Sequence, residues 1–409
     1  MKIRLYLIIC IEICWNALAF GQFGFSMPAG LQEIDIPFEY ENNFIVVDII
    51  LNKTFPLKMI FDTGAEHTIL CQKSVTDLLK INYEKEFEIV GADYKTVLKS
   101  YLAKDITIET NSVVARKQNI LVLNQDYFRL EECVGLRVQG ILGSDLFSQY
   151  VVKINYIKHI ITLYNPENFE VPRDYTMLPI QINKGKPYIT PTLQLENDIK
   201  IPATLLIDTG ARLSLLLYTN SHPDLIRPKQ VLEGNIGYGL GGTITGYAGR
   251  VKKLSFSQSI YFDELLADFQ DFTLGADSLK VLGRNGIIGN NILNRFTVIL
   301  DYINYKVYLK PNKNYKQAFE YDKSGLLMIA GGAELNRFYV QHIIKDSPAY
   351  EADIHVNDRF LSINRTPTSL MSLQNMGDRF RKKVGKRYRI VILRNGEHLV
   401  KYIYLRKLI

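Results

Sequence analysis

Asp62-Thr63-Gly64 and Asp208-Thr209-Gly210 are the residues of this 409-residue chain best suited by type and spacing to do chemistry. Each closes an apolar run, in "MIFDTGAEHTIL" from Met59 and "LLIDTGARLSLL" from Leu205. Two carboxylates held within hydrogen-bonding distance cannot both ionise cheaply, so one keeps a proton and the pair titrates as a unit. The ionised member can take a proton from water while its protonated neighbour polarises a carbonyl. Gly64 and Gly210 would permit the tight turn that brings the carboxylates together. The hydroxyls of Thr63 and Thr209 could hydrogen-bond across the junction. A single Asp-Thr-Gly is a weak signal, since an Asp side chain stabilises ordinary turns in the same way.

What positions the two motifs is an internal repeat. From Asp62 to Asp208 the offset is 146 residues, and a second matched pair keeps the same offset: "GILGSDLFSQYVVKINYIKHIITLY" from Gly140 and "GIIGNNILNRFTVILDYINYKVYLK" from Gly286. Each copy reads as mainly β, with alternating segments such as "KEFEIV" and "KDITIE" broken by Gly, Asn and Asp turns. A short helix is expected after each apolar-apolar-Gly triplet, followed by a hairpin. Two like lobes about a pseudo-twofold axis would bring equivalent loops together, and Asp62 would meet Asp208. The small residues of the triplets would let a neighbouring strand pass close to each loop.

These paired motifs resemble those of aspartic proteases, particularly the retropepsin-like ones with short lobes. "FDTGA" and "IDTGA" match the family's catalytic motif, and "ILG" and "IIG" its second, structural motif, over about residues 38–311. The resemblance implies a bilobed β fold in one chain and peptide-bond hydrolysis by an activated water. Asp62 and Asp208 would be catalytic, supported by Thr63, Gly64, Thr209 and Gly210. It also implies a glycine-containing hairpin flap, matched by "IGYGLGGTITGYAG" at 236–249, with Gly239 and Gly241 facing substrate, and less well by "VGADYKTV" at 90–97. A plain flexible connection is the alternative for both. Four residues past each Asp the copies differ, with Glu66 in one and Arg212 in the other. These would pair across the lobes or bind the backbone ends of a peptide, or else act as ordinary surface charge. A non-catalytic peptide binder retaining the groove is the alternative function. A glycosidase pair would need more widely separated carboxylates.

From about Tyr321 the pattern changes to a small α+β module resembling a PDZ domain over residues 321–405. Ser347-Pro348-Ala349 and "VNDRFLSIN" carry the likeness. Such domains add a peptide as an extra strand and hold its terminal carboxylate on backbone N–H groups. Ser324, Gly325, Leu326 and Leu327 form the candidate cradle, an imperfect match. Asp353 and Asn357 stand where glycines are usual. A domain that merely packs on the lobes is the alternative.

The expected organisation is therefore a leader at 1–19, lobes at 20–172 and 173–318, and the PDZ-like module at 319–409. The leader, "MKIRLYLIICIEICWNALA", carries Lys2 and Arg4 before a short apolar stretch and small residues at a cleavage point. It predicts an exported, periplasmic or extracellular chain. No later segment is long and apolar enough to span a membrane. Without the leader two cysteines remain, Cys71 and Cys133, either paired or free and buried. The scattered histidines and the lack of a Cys/His cluster imply neither metal nor cofactor. The net charge of +7 is concentrated at the end of the chain, where residues 371–409 hold eleven Lys/Arg against Asp378 and Glu397. The basic character belongs to that module and reads as a solvated face, with an acidic partner or a membrane surface the weaker option; peptides or proteins, and no nucleic acid, are the expected partners.

Overall fold

The structure is a computed structural model, and it describes residues 24–90, 96–127, 129–239, 242–271 and 283–409. The leader, the tip of the first candidate flap and Gly241 lie outside the described residues. Among the described residues the fold is mainly β, in four sheets.

One six-stranded sheet joins the two copies, in the order Glu33–Pro37, Ile160–Tyr164, Val151–Asn155, Phe296–Asp301, Lys306–Pro311, Thr176–Pro179. At its centre Val151–Asn155 runs antiparallel to Phe296–Asp301, with Lys153 opposite Ile299. Those two residues are equivalents under the 146-residue repeat. An antiparallel pair centred on equivalent residues has a local twofold axis through its middle, so the repeat dictates the symmetry of the sheet.

Above this sheet each copy builds its own. In the first, Phe55–Phe61 leads into Asp62 and pairs in parallel with Gly140–Leu142, which also pairs antiparallel with Ile69–Leu70. In the second, Leu205–Ile207, Gly286–Ile288 and Leu215–Tyr218 repeat the arrangement, with the parallel pair in the same register and the antiparallel pair shifted by one residue. The triplet strand thus threads between the two arms of each Asp loop. A Cβ on Gly140 would collide with the carbonyl oxygen of Ile69, and one on Gly286 with that of Leu216, so glycine is required at both. A continuous apolar core runs through both lobes and includes Phe61 stacked on Phe147 at 4.2 Å between ring centres. Cys71 and Cys133 are buried thiols and form no disulfide with each other.

The C-terminal module has a separate core. Its sheet runs Leu326–Gly331, Arg337–Ile343, Arg359–Ile363, Arg387–Arg394, Glu397–Tyr404, so Leu326–Gly331 is a terminal strand. Ser347 caps the helix Pro348–Glu351, and Ser372 caps Leu373–Phe380, each accepting from a backbone N–H three residues on. Asp353 and Asn357 hold φ of 53° and 72°, the left-handed region that Asp and Asn tolerate better than most residues, so the fold survives their replacing the usual glycines. Among the described residues no helix is long and apolar enough to cross a membrane.

Candidate active site

The two Asp-Thr-Gly loops meet at the axis. The N–H of Thr63 donates to Thr209 Oγ1 at 3.0 Å, and the N–H of Thr209 donates to Thr63 Oγ1 at 3.1 Å. Each hydroxyl then donates onward into the opposite lobe, Thr63 to the carbonyl of Ile207 and Thr209 to that of Phe61, both at 2.7 Å. Both threonines are fully buried, so all four bonds are shielded from water, where losing one leaves a costly orphan. The carboxylates are drawn in by the turns themselves: Gly64 N–H donates to Asp62 Oδ1 at 2.7 Å and Gly210 N–H to Asp208 Oδ1 at 2.8 Å.

The glycines are needed for a second reason. A Cβ on Gly64 would lie 2.6 Å from the carboxyl carbon of Asp208, and one on Gly210 would collide with the Asp62 carboxylate. Each glycine therefore backs the other lobe's carboxylate. The two side chains hydrogen-bond to each other. Burial and the charge of Asp208 push Asp62 well above the usual carboxylate range. Burial raises Asp208 too, but the hydrogen bond from Asp62 and the nearby Arg284 guanidinium draw it back. Both carboxylates are raised by burial, so the arrangement suits a pair that shares one proton.

Both aspartates lie on a cavity of about 1220 Å³ that extends from the junction of the lobes to the C-terminal module. Glu66 and Arg212 line it from opposite lobes. Glu66 lies 3.6 Å from His67 and in the field of Lys186, and Arg212 lies in the fields of Asp268 and Cys133. Burial pushes Asp268 up to about 7, with Arg212 opposing the rise. The second-lobe hairpin, Leu232–Gly239 and Gly242–Ser255, ends on the pair Gly239 and Gly242 and lines the cavity through Leu232–Gly237. Its first-lobe counterpart is Tyr83–Val90 with Val97–Thr110, of which Ile89 lines the cavity.

Several contributors were not singled out from the sequence. Asn290 is fully buried and clamps the lobes: its Nδ2 donates to the carbonyls of Asn43 at 2.8 Å and Thr209 at 2.6 Å, and its Oδ1 accepts from Tyr156 at 2.7 Å. Arg284 and Lys186 bring two cations to the cavity near Asp208, and burial together with Arg284 lowers Lys186. Aligning the copies at the 146-residue offset sets Arg284 against Val138 and Asn290 against Ser144. Polar residues replacing an apolar or smaller one at a repeated position were the available signal.

In the C-terminal module Gly325, at φ 80°, sits where a Cβ would strike the side chain of Ser347. Ser324, Gly325, Leu326 and Leu327 form the turn into the terminal strand, and Gly325 to Leu327 line the same cavity as the aspartates. Residues 323–392 match the family model for the PDZ domain. This part of the chain is a PDZ domain. A search of curated proteins found no match. Among solved structures, the chain is similar to conglutin gamma, a unique basic 7S globulin from lupine seeds. That likeness has 13% identity, covers 69% of this chain and 96% of the globulin, and has a TM-score of 0.43.

Proposed function

We propose that the chain is an exported aspartic-type endopeptidase whose PDZ domain recruits polypeptide to the catalytic cleft. The observation that carries this reading is the reciprocal threonine grip that holds Asp62 and Asp208 against each other at the floor of a peptide-sized cavity. Asp208, kept anionic by Arg284, takes a proton from a water whose oxygen bonds to the scissile carbonyl carbon. Protonated Asp62 donates to the carbonyl oxygen. The resulting gem-diol collapses as its C–N bond breaks, with the leaving nitrogen receiving the proton held by Asp208 and a hydroxyl proton returning to Asp62. No covalent enzyme intermediate forms. The PDZ match supports peptide recruitment, and the leader supports export.

The test is digestion of an unfolded protein such as carboxymethylated casein across pH, with wild type, Asp62→Asn and Asp208→Asn. Wild type should lose activity at alkaline pH as the pair gives up its shared proton. Undiminished cleavage by both variants would exclude the mechanism.

A further inference from the structure

The walls of the cavity differ between the lobes in one row of residues. In the first lobe, strand pairing sets Leu121, Ile69, Ile141 and Ile60 side by side across four neighbouring strands. In the second, the same pattern of pairing sets Asp268, Leu216, Ile287 and Leu206 side by side. All eight residues line the cavity. Ile60 and Leu206 each stand two residues before one of the paired aspartates. Asp268 therefore occupies the place that Leu121 holds in the first lobe, at the half-buried far end of the row. The sequence offset hides this, because at 146 residues Asp268 falls against Val122, whose side chain belongs to the core.

Asp268 lies on the strand Tyr261–Gln270 between Ala267 and Phe269, which point into the core, so its own side chain faces the cavity. Among the described residues its carboxylate accepts no hydrogen bond and forms no ion pair; the field of Arg212 is what opposes the effect of burial. A carboxylate set among Leu216, Ile287 and Leu206 without a bonded partner is costly to keep, and a cation arriving beside it recovers that cost. The local balance of charge favours such an arrival. Tyr321 lies in the fields of both Asp268 and Asp322, while Arg284 and Lys186 stand toward the other end of the row, near Asp208.

We infer that Asp268 determines specificity in the second-lobe half of the cleft, where it receives a lysine or arginine side chain of the bound polypeptide. The aliphatic stem of that side chain would lie along Leu216 and Ile287, and its charged end would reach the Asp268 carboxylate. Neighbouring strands lie about 4.8 Å apart, which puts Asp268 about 14 Å from Leu206. An extended polypeptide advances about 3.3 Å per residue, so the basic residue falls within about four residues of the scissile bond. That the occupant is a substrate rests on the peptidase reading.

The experiment uses immobilised full-length Asp208→Asn protein at about pH 8, where carboxylates are ionised and lysine is charged. A defined library of synthetic 12-residue peptides is made in pairs, one member with a central lysine and the other with norleucine, which keeps the stem and drops the charge. Retention is read by mass spectrometry. The lysine member should be retained at least fivefold better. Adding Asp268→Asn should bring the two within about twofold while leaving retention of the norleucine members unchanged, which shows that the cleft is intact. Adding Glu233→Gln instead, which removes an exposed acid from the same cavity, should leave the lysine preference in place. Wild type digesting carboxymethylated casein should show lysine or arginine enriched at least threefold within about four residues of the cut bonds.

Equal retention of the paired peptides, or retention of neither, overturns the inference. So does a lysine preference that survives Asp268→Asn, or one that falls as far with Glu233→Gln, which would make it a diffuse attraction. A wild type that retains lysine peptides but cuts no bond refutes the peptidase reading and leaves the pocket assignment intact. A wild type that cuts casein with no basic residue enriched near the cuts refutes the pocket and leaves the peptidase reading intact.

Discussion

The two Asp loops are copies, yet the shells around them are not. At the core the match extends to single hydrogen bonds: Asp62 N–H donates to Leu142 and Asp208 N–H to Ile288, both at 3.0 Å. Thr68 donates through its hydroxyl to Asp145 as Asn291 donates to Ser214, each position shifted by the repeat. One turn further out the symmetry ends. Tyr156 donates to Asn290, whereas the equivalent Tyr302 hydroxyl and Ser144 hydroxyl are buried with no partner among the described residues. Arg284 replaces Val138 beside the cavity. The geometry that brings two carboxylates together demands equal halves. Giving the two carboxylates different surroundings demands unequal ones.

The comparison can be broken at four points, in descending order of effect. Asp62→Asn and Asp208→Asn should each lower kcat on carboxymethylated casein by about a thousandfold, the general acid–base contribution. A single variant retaining near wild-type turnover would show that the halves do not act as a pair. Asn290→Ala should destabilise the fold by about 3 kcal/mol, because it strands two carbonyls and a tyrosine hydroxyl in the core. The equivalent Ser144→Ala, which removes no hydrogen bond among the described residues, should change stability by less than about 0.5 kcal/mol. Equal losses in urea denaturation would remove the asymmetry.

Arg284→Val imposes the first lobe's residue on the second. Arg284 holds Asp208 down, so without it Asp208 takes up a second proton at higher pH, and the acid limb of the kcat/KM profile should move to higher pH. An unmoved limb would mean that Arg284 does not set the proton's place. The smallest effect is expected from Glu66→Ala and Arg212→Ala. Their charged surroundings differ, His67 and Lys186 for one and Asp268 for the other, so a double-mutant cycle on peptide turnover should be additive within about 0.5 kcal/mol. A larger coupling would show that they meet across the cleft when substrate is bound.

Much of the frame was legible because its signals are local or periodic. An apolar run ending in Asp-Thr-Gly specifies a strand and a turn, and repetition at one offset specifies a symmetry. The PDZ pattern is likewise written in contiguous residues, from the Ser347 cap to the strands that close its sheet. The cradle shows where that reading stops. Ser324, Gly325, Leu326 and Leu327 form the turn into the terminal strand, but Asp322 turns back on their N–H groups, and a sequence motif does not record which acceptor a donor has found.

Sequence alone determined the mainly β class, the duplicated unit, the two aspartates and the C-terminal module, since each follows from residue type and spacing along the chain. Tertiary structure decided which residues surround each aspartate, how Asn290 locks the lobes, and that one cavity is lined by both aspartates and by the PDZ domain. Those features depend on side chains far apart in the chain meeting in low-dielectric surroundings, where a single charge or orphaned hydroxyl outweighs local preference.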